Sequence, residues 1–243
     1  MNVSPTPSTR DKLLDAARDL IRAKGFGSTS VDDICAVARV TKGAFFHHFP
    51  SKEKLGIAAA DAFNAMADRL FAAAPFSALA DPRDRVFGYV EFRASILEGS
   101  ISRYTCLLGT MVQEIQSTHP DLRGACSRNM DAHVDGLARD IAAAKELYAA
   151  DADWTPTGVA YFIQSVLQGS FIFAKAHQGE AIARANLAHL RRYLTVLLGE
   201  PAQGAVDAGG HEELDFASTI EGSRPQSGIH PTKGMHPEGG AIP

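Results

Sequence analysis

The stretch that decides the fold is Val40-Thr41-Lys42-Gly43-Ala44-Phe45-Phe46-His47-His48-Phe49-Pro50-Ser51-Lys52-Glu53-Lys54-Leu55. Phe45 and Phe49 stand four apart and give one apolar face, and Lys42, His47 and His48 give the other a polar reach. Pro50 ends the segment and Ser51 caps the next helix. Upstream, Ser30 opens a short helix with Ile34, Val37 and Ala38 on one face. Asp33 stands where a capping box carries Glu or Gln, so the box reads as imperfect. Asp32 and Asp33 suit the positive end of that helix. Short helix 31–38, a break at 39–41 and second helix 42–48 make the layout of a helix-turn-helix. The second helix is short enough to enter a major groove by its start. There Thr41 and Lys42 sit beside backbone N–H groups that favour phosphate. His47 and His48 can donate to phosphates or base edges. The spacing alone fits equally well three amphipathic helices with an exposed basic end.

Outward from this stretch the pattern stays helical. Thr9 can cap a helix carrying Leu13, Leu14, Ala17, Leu20 and Ile21, stopped at Gly25. A long helix from Ser51 to about Ala74 carries Leu55, Ala59, Phe63 and Met66. Further helices are predicted over 83–98, 104–117, 120–149, 157–177 and 180–198, about nine in all. No alternating β pattern and no repeat interrupts them. The expected class is all-α. A three-helix N-terminal unit (9–56) precedes a helical body (57–199), and a Gly/Pro-rich tail (200–243) reads as disordered.

The chain has 243 residues and a net charge of −4, which looks wrong for a nucleic-acid binder. Divided, it is +3 over 1–56, −3 over 57–200 and −4 over 201–243. The basic surplus is all at the front. No run approaches ~18 uninterrupted apolar residues, and the N-terminus lacks a signal-peptide core, so neither a membrane partner nor export is expected. Three cysteines, Cys35, Cys106 and Cys126, with no CxxC, suit a reducing cytoplasm and neither a disulfide scaffold nor a metal site. No cofactor motif is found.

The run 40–55, with Gly25-Phe26 and Thr29-Ser30-Val31-Asp32-Asp33-Ile34 before it, closely resembles the signature of TetR-family transcriptional regulators. The resemblance covers roughly residues 9–56, and an all-helical remainder of this length is similar to the family's ligand-binding and dimerisation domain. It implies a homodimeric repressor of a double-stranded DNA operator, released by a small-molecule or electrophile inducer. Thr41, Lys42, His47, His48 and Lys52 fall on positions that touch DNA in such regulators. Thr29 and Ser30 lie where a hydroxyl meets phosphate, and Gly43 lies on the same reading helix. Two positions depart from the pattern. Arg39 stands where Gly is usual, at roughly 1–2 kcal/mol if its backbone is left-handed. Phe46 stands where Tyr is usual and has no hydroxyl for phosphate.

The nearly all-apolar helix 157–177 must be buried on most sides. With the amphipathic 180–198 it resembles the family's dimerising pair, so dimerisation is expected through 157–198. A pocket is expected among the helices starting near 56, 83, 104, 120 and 157, with Met66, Phe92, Tyr104, Met111, Met130, His133 and Phe171 as candidates; each also reads as ordinary core. The stretch Cys106–Glu114 with His119–Arg123 resembles a subgroup containing repressors of electrophile and aldehyde detoxification genes. That resemblance implies Cys106 as sensor and Lys175 as its neighbouring ammonium. A cysteine in a helix's first turn has its thiolate stabilised by the dipole; the opposing reading is an inert buried thiol and a non-covalent inducer. An enzyme is disfavoured: there is no Gly-rich phosphate loop, GxSxG or HExxH, and only His119, His133 and His177 with nearby carboxylates could be imagined as a site. A DNA-binding protein with no small-molecule input is the remaining alternative.

Overall fold

The computed structural model describes residues 7–202. The tail expected to be disordered lies outside them from residue 203 onward. Ten α-helices succeed one another: α1 (Thr9–Lys24), α2 (Val31–Ala38), α3 (Lys42–His48), α4 (Lys52–Ala72), α5 (Pro82–Ser95), α6 (Ile101–Tyr104), α7 (Leu107–Ile115), α8 (Pro120–Tyr148), α9 (Pro156–His177) and α10 (Ala181–Leu198). The described residues contain no strand. The all-α expectation is met, with one helix more than the periodicity suggests. The stretch expected as one helix from 104 divides, because Thr105 and Cys106 are extended. Tyr104 therefore ends α6, and Cys106 is the N-cap of α7.

Local chemistry accounts for the starts. Ser8, Ser30, Thr41 and Ser51 each accept an N–H of the first turn with a side-chain oxygen, which replaces a partner the helix cannot supply. The Ser30 box is complete despite the shorter acid. Asp33 N donates to Ser30 Oγ at 3.0 Å, and Ser30 N donates back to Asp33 Oδ2 at 2.9 Å. Lys24 also pairs with Asp33, and these hydrogen bonds hold its carboxyl well below the usual range. Gly25 closes α1 at φ 90, and a Cβ there would overlap the Glu114 carboxylate.

Two cores organise the packing. One joins α5, α8, α9 and α10 through Phe87, Ile141, Ile163 and Leu194. The other joins α1–α4 through Leu13, Ile34, Phe45 and Leu55, and continues into Leu107, Met111 and Ile115 of α7 and Leu122 and Cys126 of α8. The expected boundary at 56/57 is therefore not a packing boundary. Helix α4 runs through it without a break, because Leu55, Ala59 and Ala60 share one buried face. Cys106 packs against both cores. By length and composition alone α9 is apolar enough to cross a membrane. Here it packs against α8 and α10.

Candidate nucleic-acid interface and ligand cavity

Helix α3 is anchored by Phe45, fully buried, and by Phe49 beyond its end. Its other face is exposed and carries Thr41, Lys42, Gly43, Phe46, His47 and His48. Thr41 Oγ1 accepts from Ala44 N at 3.2 Å. Lys42 Nζ reaches Asp32 at 2.9 Å in an exposed pair, which a surface setting makes weak. Gly43 adds nothing that stands between the backbone and an approaching surface: a Cβ there would meet only Thr41. Phe46 is 50% exposed, its ring edge-on to Phe45 at 5.1 Å. Arg39 is left-handed at φ 56 and exposed, so the strain expected of a side chain in a glycine's place is present.

Two expected contacts point the other way. Thr29 is fully buried, and its hydroxyl donates to Gly25 O at 2.6 Å. Lys52 turns inward, donating to Phe26 O at 2.9 Å and Thr29 O at 3.0 Å over the Phe26 ring. Burial lowers its pKa, against an opposing contribution from Glu114. Both residues tie down the α1–α2 loop instead of facing outward. Ser30 is exposed, with its oxygen engaged in the capping box.

Behind this unit lies a cavity of about 560 Å³, within the range of small-molecule sites. Met66, Tyr104, Met130 and His133, named from the sequence, line it. Three candidates are displaced. Met111 is fully buried against the first four helices, because the α7 stripe 107/108/111/115 faces them. Phe92 stacks on Phe71 and Phe76 at 5.9 and 5.8 Å. Phe171 lines a second, adjoining cavity of about 220 Å³. At the wall of the first, Gln164 Nε2 donates to the Tyr89 hydroxyl at 2.8 Å, and that hydroxyl is hydrogen-bonded to His133 Nε2 at 2.9 Å. Burial, reinforced by Arg93, pushes the His133 pKa down to about 4, so the imidazole is neutral at pH 7.

Cys106 lines both cavities and is half-buried. Gly109 N donates to its Sγ at 3.4 Å. Lys175 opens on the second cavity and donates to Thr110 Oγ1 at 2.7 Å. Burial lowers the Lys175 pKa, and a charge on Cys106 works against that. Cys126 is fully buried, and burial pushes its thiol up to about 12. Cys35 is buried and raised for the same reason.

Residues 13–59 match the family described as bacterial regulatory proteins, tetR family, and residues 82–190 match the tetracyclin repressor-like C-terminal domain. The chain belongs to the TetR family. It is a DNA-binding transcriptional regulator. It is 26% identical to the transcriptional regulator AcuR of Cereibacter sphaeroides over 67% of this chain and 74% of that one. It is likewise 26% identical to the HTH-type transcriptional repressor DhaR of Mycobacterium sp. over 77% of this chain and 89% of that one. The crystal structure of reduced NemR from E. coli shares the fold, with a TM-score of 0.67 and 22% identity over 80% of this chain and all of that one.

In this regulator, α7 connects cavity and reading unit. Cys106 caps its start. Near its end, Glu114 accepts from Phe26 N at 3.2 Å and Gly27 N at 2.7 Å, in the same loop that Lys52 holds from the other side. Glu114 is not legible in the sequence, since its partners lie 87 and 88 residues away. Two cavity arginines, Arg22 and Arg93, also escape a sequence reading. For Arg22 a signal exists: it stands one helical turn after Arg18, at the edge of the α1 stripe.

Proposed function

We propose that this regulator is a homodimeric repressor of a double-stranded DNA operator in the cytoplasm, released when its cavity is occupied or Cys106 is modified. Residues 9–56 read DNA, and 57–199 sense the inducer and dimerise. Arg39, Thr41, Lys42, Gly43, Phe46, His47 and His48 make the reading surface. The observation that carries the sensing half is the position of Cys106. It borders both cavities, touches both cores and caps the helix whose Glu114 holds the loop before α2. Its Sγ accepts from Gly109 N at 3.4 Å, and Lys175 opens on the same smaller cavity. Shifting α7 would move that loop and change the spacing of the two reading units; a coupling of about 1–3 kcal/mol already alters affinity about 5–150-fold.

Dimerisation through 157–198 is supported by a face left uncovered in the single chain. Phe162 and Tyr193 stack at 4.8 Å, and Phe173 and Val196 are 51% and 82% exposed. A two-fold dimer suits half-sites about one turn of DNA apart.

A gel shift with the DNA upstream of the regulator's own gene tests the reading: binding should be sequence-specific and weaken with salt. N-ethylmaleimide should label Cys106 first and release the DNA, and Cys106→Ser should hold on. If Cys106→Ser still releases on alkylation, the thiol is not the switch. The non-covalent reading, with an inert Cys106, is favoured by the size of the cavity itself.

A further inference from the structure

The cavity has an unusual electrostatic wall. Its body is apolar, formed by Phe63, Met66, Leu70, Leu108 and Met130. Yet Arg22 of α1 and Arg93 of α5 both open onto it, and Arg22 is only 8% exposed. Neither guanidinium forms an ion pair or a side-chain hydrogen bond among the described residues, and the Nε of each is buried without a partner. Two further buried groups on the same wall, the Tyr104 and Thr105 hydroxyls, also lack partners. All four can donate. Asp131, a carboxylate in the lining, is already engaged by Tyr161 at 2.8 Å and Ser127 at 3.3 Å.

Buried cations are ordinarily paired, because desolvation of a lone charge is unfavourable. Here aromatic faces supply the close contacts: Arg22 lies 5.5 Å from the Phe63 ring, and Arg93 lies 5.5 Å from Phe71 and 5.4 Å from Phe171. The result shows in Arg22, which burial, with the nearby Arg18 and Arg93 charges, pulls down to about 10. A site that holds two unpaired cations in apolar walls discriminates against neutral ligands, whose binding would leave both guanidiniums unmatched.

We propose that the cavity is a site for an apolar monoanion, a carboxylate or sulfonate on a hydrophobic body, with its charge held between Arg22 and Arg93. This rests on the reading of the cavity as the inducer site and names the ligand's class. It also places the charge where it acts on DNA binding. Arg22 belongs to the first helix of the reading unit and Arg93 to the sensing body, so one bound anion ties the two together.

The test uses the full chain and two fluorescent probes of similar shape, anilinonaphthalene sulfonate and the uncharged phenylnaphthylamine. The sulfonate should occupy one saturable site per chain and bind about tenfold or more tighter than the neutral probe. Arg93→Met should erase that preference, and Arg22→Lys should keep part of it. Arg22→Met should behave like Arg93→Met; should it fail to fold, Arg93→Met decides alone. Equal binding of the two probes, no binding of the sulfonate, or an unchanged ratio in Arg93→Met would overturn the proposal. The titration contains no DNA. A regulator that binds its operator but shows no preference loses only the anion site. A clear preference with no operator binding sinks the repressor reading instead.

Discussion

Two cationic regions of the regulator, the outer face of α3 and the inner wall of the cavity, could hardly be handled more differently. Lys42 is 57% exposed and shares its charge with an Asp32 that is itself 72% exposed. Water solvates both, and the pair is easily given up to phosphate. Arg22 is 8% exposed and forms no ion pair among the described residues, and its ionised form is weakened by burial. An exposed cation suits a polyanion that sheds counterions on binding. A buried one suits a single small anion that arrives without its water.

The largest expected effect separates the two regions. Lys42→Glu with His48→Glu should weaken operator binding about 100-fold or more in gel shifts at roughly 0.1 M salt. Anilinonaphthalene sulfonate binding should not change. A parallel loss of both would mean that the two basic regions are one unit.

Next comes pH, on the cavity side alone. His133 is held neutral, with its pKa lowered to about 4 from an ordinary 6.5, first by burial and then by Arg93. The unfolded chain takes up a proton near pH 6.5 and the folded one only near 4. Stability is therefore lost as pH falls through that window, by up to about 3 kcal/mol. Urea unfolding at pH 7 and pH 4.5 should show the drop, and His133→Gln should remove most of it.

Between the regions stands Glu114. Glu114→Ala leaves the Phe26 and Gly27 N–H groups without their acceptor and should lower unfolding free energy by about 1–3 kcal/mol. It should also blunt release of DNA by N-ethylmaleimide, whereas Glu114→Gln, which keeps an acceptor oxygen, should restore part of both. Intact release in Glu114→Ala would break the proposed link through α7. The smallest effect belongs to the reading face. Arg39→Gly relieves the left-handed strain and should raise stability by less than about 1 kcal/mol, while weakening DNA binding if the guanidinium meets phosphate.

The reading face is legible in the sequence because its rules are local. Phe45 and Phe49 four apart, Thr41 and Ser51 as caps and Pro50 as a stop each act within one or two helical turns, so composition and spacing carry them. Local rules err where a side chain has a choice of direction. The motif points Thr29 and Lys52 outward, and both turn inward because the loop carbonyls of Gly25, Phe26 and Thr29 offer partners. Periodicity puts Met111 in the cavity, but it is fully buried in the core built on the first four helices, a choice of side that spacing within one helix does not record.

Helices, the basic front and the family's reading motif are settled by the amino-acid sequence alone, since hydrophobic period, capping and charge are properties of neighbouring residues. Tertiary packing is what brings Arg22 and Arg93, 71 positions apart in the chain, to one cavity wall. It also lets Glu114 grip a loop 87 residues before it, and it stands Cys106 where both cores and both cavities meet. Burial and unsatisfied hydrogen-bonding groups depend on which distant surfaces close over a side chain, and no local pattern records that.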